Sequence, residues 1–246
     1  MELMHLTEAM THRHAVRAFS DRPIDATVLD ELEHAISQAN AQSGLHIQLV
    51  HDDTDAFGGC PTHYGRFSNV RYCIALIGAD SAARANDGGH AFADLDERVG
   101  YFGEMLALRT VQAGLDTGWV VLHETTEHDG RWQFNDGERM PAALAIGYGA
   151  RPGRPHRSKP LSELGTVESA MNTVDPLAEA PSWFVDGLQA VALAPSALGK
   201  QPVRFTLLAD GHVRAEALDG VQSQICLGVA KYHFEIGSGR DGTVFA

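Results

Sequence analysis

The sequence predicts an α+β protein: a central sheet flanked by helices. Three observations predict it. Several long runs keep apolar residues at three-four spacing, the mark of a helix with one buried face. Short apolar or alternating runs lie between them and read as strands. One pair of these, Val203–Asp210 and His212–Leu218, meets at Asp210-Gly211, the composition of a tight antiparallel hairpin.

The elements follow in order. Asp25 is placed to cap a helix reaching about Ala41, with Val28, Leu32, Ala35, Ile36 and Ala39 on one face. Leu45–Val50 alternates as a half-buried strand, and Val70–Ala79 is apolar enough to be buried on both faces. A long helix spans roughly Phe92 to Leu115, with Gly114 as its terminator. Trp119–Leu122 and Pro141–Gly149 are further strands. The polar stretch from about Ser162 to Ala180 reads as a linker. Trp183–Ala194 is a helix, then comes the hairpin. Asp219 can cap a last helix, Gly220–Ile236, closed by Gly237. Helix, loop and strand recur: Leu29–Ile36 with Ile47–Asp53 echoes Val185–Ala192 with Phe205–Gly211. The intervening loops differ, "SQANAQSGLH" in the first copy and "APSALGKQPVR" in the second.

Composition narrows the function classes. A net charge of −13 disfavours nucleic acid and anionic membrane as partners. No apolar run reaches the roughly 18 residues of a membrane span, and "MELMHLTEAM" lacks the basic start and apolar stretch of a signal peptide. The cytoplasm is therefore the expected location. Three widely spaced cysteines, Cys60, Cys73 and Cys226, fit neither a disulfide framework nor a zinc knuckle and read as buried thiols. In so acidic a chain the basic clusters stand out: Arg13 and Arg17 among histidines, Arg151–Lys159, and Lys200 with Arg204. Each alone fits a solvated surface, and together they suit a small anion. His123–His128, "HETTEH", spaces its histidines at i,i+5. Zinc proteases need i,i+4 to put both on one helix face, so no metal is expected. No Gly-x-Gly-x-x-Gly follows a strand, and no Ser or Cys nucleophile motif is present.

Four stretches together resemble the FMN-dependent nitroreductase family. "RHAVRAF" (Arg13–Phe19) is similar to its opening arginine signature, and "APSALGKQP" (Ala194–Pro202) to its Pro-Ser motif. "VGYFGEMLALRTVQAGLDTGWV" (Val99–Val120) resembles its helix followed by Gly-Leu-Gly-Thr-Cys-Trp, and "LAIGYGARPGRPHRSK" its late strand and basic segment. The order is unusual, because the Pro-Ser motif comes late instead of one helix after the arginine signature. Ordinary members are homodimers whose flavin sites draw on both chains. This chain resembles the single-chain branch, a pseudo-dimer in which one chain imitates the pair. The resemblance implies one nitroreductase-like domain over 1–246 with two intertwined halves, about 1–175 and 176–246. It also implies a monomer imitating a dimer, and one FMN per chain, since the first Pro-Ser slot is eroded.

The same resemblance assigns cofactor-binding residues. Arg13, Arg157 and Lys159 match the family's phosphate-side basic residues, where charge-assisted hydrogen bonds suit a dianion. Arg17 matches the basic residue at the flavin N1–O2 edge, where charge grows on reduction. His14 and Ala15 line the ribityl chain, Ala15 lacking the family's serine hydroxyl. Pro195, Ser196 and Ala197 pack on ring and ribityl as a rigid, close and small surface. Gly199 stands where asparagine is common. Leu115, Asp116, Thr117 and Gly118 bring a backbone N–H toward flavin N5, with Gly118 in place of the family's cysteine. No side chain is expected to act as acid, base or nucleophile, because the flavin carries the chemistry.

The implied activity is an NAD(P)H oxidoreductase working by ping-pong hydride transfer through flavin N5 to a nitro, quinone or similar small-molecule acceptor. The alternative is a non-catalytic flavin-binding or scaffold protein on a degenerate form of the fold. The loop Asp52–Phe67 is where substrate contacts are expected.

Overall fold

The computed structural model describes residues 4–80, 92–127, 130–153, 157–170, 175 and 177–246. Its elements run α1 (Leu6–His12), α2 (Ala26–Ser43), β1 (Gln48–His51), β2 (Tyr72–Ala79), α3 (Leu95–Gln112), β3 (Asp116–Val120), β4 (Glu138–Gly147), α4 (Leu161–Leu164), β5 (Gly165–Val167), α5 (Ser182–Leu193), β6 (Val203–Leu207), β7 (Val213–Ala217) and α6 (Ser223–Ser238). By contacts the chain divides into two compact units, Met1–Ala85 with Met105–Pro155, and Asn86–Glu104 with His156–Ala246. Helix α3 thus gives its first half to the second unit and its second half to the first.

The first unit holds an antiparallel sheet in the order β1-β2-β4-β3. Strand β2 is buried almost throughout, as its unbroken apolar run dictates. Cys73, Ala75 and Ile77 join Ala143 and Ala145 of β4 in one core, with Val16, Phe19, Phe57 and Trp132. Helix α2 begins after Asp25 as expected, but the Asp25 side chain makes no capping bond; its carbonyl accepts from Val28 and Leu29. The helix ends at Gly44, whose φ of 66° is left-handed. Helix α1 carries no strong periodic signal and was not expected.

The second unit holds a mixed three-stranded sheet, β5-β6-β7, with β5 parallel and β7 antiparallel to β6. The strands therefore form two sheets where one central sheet was expected. The partners of β6 are β7, its own hairpin strand, and β5, which comes from the stretch read as a linker. Within that stretch residues 171–174 and 176 lie outside the described residues.

Helix α6 is the spine of this unit, and glycines let other helices reach it. A Cβ on Gly228 would lie 1.9 Å from the Glu97 carbonyl oxygen, and one on Gly100 2.1 Å from that of Ile225. Gly237, expected to close α6, lies inside it. A Cβ there would meet Ala190 Cβ at 2.4 Å, so this glycine serves the approach of α5, and Gly239 (φ 66°) ends the helix. Asp219 does not cap it; Gln222 occupies that position.

Polar groups buried on α6 meet α3 residues. Lys231 Nζ lies 2.6 Å from Glu97. His233 and Glu104 are fully buried, 3.0 Å apart. The other ring nitrogen of His233 lies 3.0 Å from the Ala190 carbonyl, which can only accept, so Nδ1 carries a proton. Tyr101 donates to Glu235 at 2.7 Å.

Candidate functional site

The expected site residues form two sets, one in each unit. The first begins where α1 stops. Arg13 takes the helix C-cap with extended backbone (φ −64°, ψ 121°), so Arg13 and Arg17 are not neighbours on a helix face. From Arg13 to Phe19 the chain is extended and pinned along its length. Ala15 bridges Thr117, and Val16 N–H donates to the Thr117 carbonyl at 2.8 Å. Ala18 bridges Ser68, and Phe19 bridges Gly149. Val16 and Phe19 enter the core while Ala15 and Arg17 face outward, and Arg13 is buried. The arginine signature and the Leu115–Gly118 segment, far apart in sequence, are thus brought together.

Leu115 is buried at the end of the α3 turn. Asp116, Thr117 and Gly118 lie in β3, paired with Gly147, Ile146 and Ala145 of β4. The Asp116 carboxylate accepts from Gly149 N–H at 2.8 Å and so anchors the turn after β4. Two buried polar atoms beside the junction have no hydrogen-bond partner among the described residues: His14 Nδ1 and Thr117 Oγ1. Gly153 packs on His14; a Cβ there would lie 2.2 Å from His14 Cβ. Arg17 runs along Gly65, and its guanidinium has no hydrogen bond or ion pair among the described residues.

The second set is built on the end of α5. Its last carbonyls need donors from outside the helix. Gln201 supplies them: Nε2 lies 3.3, 3.0 and 3.4 Å from the carbonyls of Val191, Ala192 and Ala194. The Gln201 Oε1 accepts from Lys159 N–H at 2.8 Å, its carbonyl accepts from Lys159 Nζ at 3.0 Å, and its N–H donates to Ser196 Oγ at 2.8 Å. Ser158 Oγ donates to the Ala192 carbonyl at 2.6 Å. The late basic segment and the Pro-Ser loop are therefore one construction. Ala197 N–H points at Cys226 Sγ, 3.3 Å away. Burial raises the thiol's pKa, which keeps it neutral. Arg157 is exposed without a hydrogen bond or ion pair among the described residues; Arg154 and His156 of the same segment lie outside them.

The loop expected to meet substrate lines a cavity of about 410 Å³ in the first unit. Its walls include Phe57, Cys60, Arg66, Phe67 and Ser68. Asp55 also lines it, but its two carboxylate oxygens accept from the N–H groups of Phe57 and Gly59. Burial, with Asp55 and Glu124 nearby, pushes the Cys60 thiol up to about 11, so it is no nucleophile. Phe67 lies beside Gly118, and Ser68 N–H donates to the Arg17 carbonyl at 2.9 Å. The cavity wall is thus continuous with the first set.

A sequence profile described as Putative TM nitroreductase matches residues 5–238. The chain belongs to this family. Among solved structures, a putative nitroreductase from Thermotoga maritima matches with a TM-score of 0.57 at 19% identity, over 96% of this chain and 85% of that one. An FMN-dependent nitroreductase from Clostridium difficile R20291 has a TM-score of 0.46 at 17% identity, covering 61% of this chain and 90% of its own. A putative nitroreductase in complex with FMN from Desulfovibrio desulfuricans has 0.49 at 16% identity, covering 66% and 95%. No curated protein matches.

Two departures from the nitroreductase motifs now have physical reasons. Gly118 replaces cysteine because a Cβ there would lie 2.1 Å from the Val16 carbonyl oxygen. Gly199 replaces asparagine at φ 66°, a left-handed position that both residue types tolerate. The residue that sequence reasoning missed is Gln201. It stands inside the quoted Pro-Ser stretch, and the signal was the one side-chain amide in that stretch.

Proposed function

We propose that this nitroreductase-family chain is an FMN-dependent oxidoreductase that holds one FMN, takes electrons from NAD(P)H and passes them to a small-molecule acceptor. When bound, FMN supplies the hydride chemistry; the chain supplies position and charge. The observation that carries this reading is the pair of buried atoms, His14 Nδ1 and Thr117 Oγ1, that have no hydrogen-bond partner among the described residues. Buried polar atoms rarely lack partners, and those that do call for a ligand or water. The hydroxyls of a ribityl chain and the amide edge of a flavin ring suit them. Arg13, Arg157 and Lys159 would hold the phosphate, and Arg17 the ring edge that becomes negative. Pro195, Ser196 and Ala197 would face ring and ribityl. Ser196 Oγ already accepts from Gln201, which leaves its proton to donate. The acceptor would enter the cavity beside Phe67, with Arg66 as its charged contact.

One site per chain is supported by the two echoing loops. Helix α2 continues to Ser43 and leaves only residues 44–47 before β1. Asn40 closes that link by bonding both the N–H and carbonyl of Ile47. After α5, residues 194–202 form the Pro-Ser loop. The first copy has no room for a second cradle, and the chain would work as a monomer.

The test is the visible spectrum of the purified chain with FMN, before and after anaerobic NADH or NADPH. One bound flavin per chain that bleaches is expected, and Arg17→Ala should slow the bleaching. Two flavins per chain would remove the single-site reading. A chain that stays colourless with FMN would remove the cofactor. Bound flavin that nicotinamide leaves oxidised would point to a binding or scaffold role.

A further inference from the structure

Two stretches singled out in the sequence, "FGGCPTHYG" and "HETTEH", meet in the first unit. Thr62 and Leu122 form an antiparallel bridge. His63 N–H donates to the Val121 carbonyl and His123 N–H to that of Pro61, both at 2.9 Å. In this pairing His63 opposes Val121 and His123 opposes Pro61. The two histidines are therefore diagonal neighbours on one face of the ribbon, where long side chains reach each other. His63 Nδ1 and His123 Nε2 are in hydrogen-bond contact. Their ring centroids are 4.5 Å apart with planes at 42°, and both residues are exposed. Tyr64 packs edge-on against His63, and Thr62 Oγ1 ties the turn by donating to the Gly65 carbonyl at 2.9 Å. The second histidine of "HETTEH", His128, lies outside the described residues.

We propose that His63 and His123 form a two-histidine clamp for a first-row divalent transition metal ion. The two nitrogens already face each other in direct contact. Bonds of about 2.0–2.1 Å to a tetrahedral ion need them about 3.3 Å apart, a change small χ rotations provide. Imidazole pairs select zinc, copper or nickel over calcium or magnesium, which require oxygen ligands. Carboxylates are close by: Glu124 follows His123 in sequence, and Asp55 and Glu124 both act electrostatically on Cys60, which precedes Pro61 in the ribbon. No group of three potential ligand side chains gathers among the described residues. The ion would keep open positions for water or an anionic ligand and would exchange readily. The i,i+5 spacing within "HETTEH" ruled out a helix site; the partner of His123 comes instead from sixty residues earlier.

The experiment is a zinc titration of the full chain by calorimetry, paired with electron paramagnetic resonance of the chain with one equivalent of Cu²⁺. One saturable zinc site is expected. His63→Gln and His123→Gln should each weaken it by at least about tenfold. His51→Gln, an exposed histidine paired with Asp53, should leave it unchanged. The copper spectrum of the unaltered chain should show coupling to two imidazole nitrogens, a readout that needs no variant to fold. A chain that binds no zinc, variants that bind it as tightly as the parent, or a copper spectrum without two coupled imidazoles would overturn the clamp.

Discussion

Gln201 is nearly sealed from solvent, yet its side chain and backbone together touch the end of α5, Lys159 and Ser196. Gln201→Ala leaves Lys159 N–H and the Ala194 carbonyl without their partner, while the Val191 and Ala192 carbonyls keep Ala194 N–H and Ser158 Oγ. Each buried polar group left unmet costs about 1–3 kcal/mol, so a loss of at least about 2 kcal/mol is expected in denaturant unfolding, with weaker FMN binding. A second residue sets a pH dependence. Glu235 is lifted to about 8, first by burial and further by Asp241, against the Tyr101 hydroxyl and Lys231, which pull it down. A value above the unfolded 4.5 means that the folded chain holds an extra proton between the two. Its contribution is full below about 4.5 and is lost as pH rises through about 8. Thermal midpoints should therefore fall across this window, and Glu235→Gln should flatten the fall. Neither role is legible in sequence. A glutamine inside a Pro-Ser motif and a glutamate near a helix end look like ordinary polar residues until their surroundings are known.

Among the elements, those with a strong period or a continuous apolar run were legible: α2, α3, α5, β2, β4 and the β6–β7 hairpin all lie close to their expected spans. What escaped had a physical reason. Helix α1 is too short for a periodic signal, and its flanking His-Arg-His sequence carries no recognisable stop. Strand β5 has three residues and hides in a polar stretch. Gly237 resembled a terminator because glycine has two uses, left-handed backbone and close approach, and only geometry separates them. Gly228 is of the second kind. Exchanging an interior helix glycine for alanine normally gains about 1 kcal/mol. Here the new methyl would lie 1.9 Å from the Glu97 carbonyl oxygen and 2.7 Å from Tyr101 N, backbone atoms that cannot swing aside. Overpacking costs about 1–3 kcal/mol, so Gly228→Ala is expected to destabilise. A lowered denaturant midpoint with an unchanged slope would show it; a raised midpoint would mean that α3 gives way freely.

For the molecule as a whole, the motifs carried the family, because each lies within one short quoted stretch. The assembly of those stretches was not legible, since pairings such as Ala15 with Thr117 depend on the sheet. The division of the chain was equally hidden: α3 reads as one helix yet serves two units. A fragment of residues 157–246 would keep α6 but lack Glu97 and Glu104, the partners of Lys231 and His233. It should fail to unfold cooperatively. The same fragment with residues 86–104 joined through a flexible linker should regain a sharp transition. Equal cooperativity in both would mean that the first half of α3 is dispensable.

This threading also orders events on the ribosome. Every residue of the first unit has been made by position 155, whereas α6 is complete only at Ser238. During that interval the first half of α3 is already synthesised, with its glycine face and two acidic side chains still waiting for their helix. The first unit can mature early; the second cannot begin until the chain is nearly finished. A nascent chain stalled before Ser223 would carry an unclaimed helical surface, and that intermediate is where a holding chaperone would find this protein.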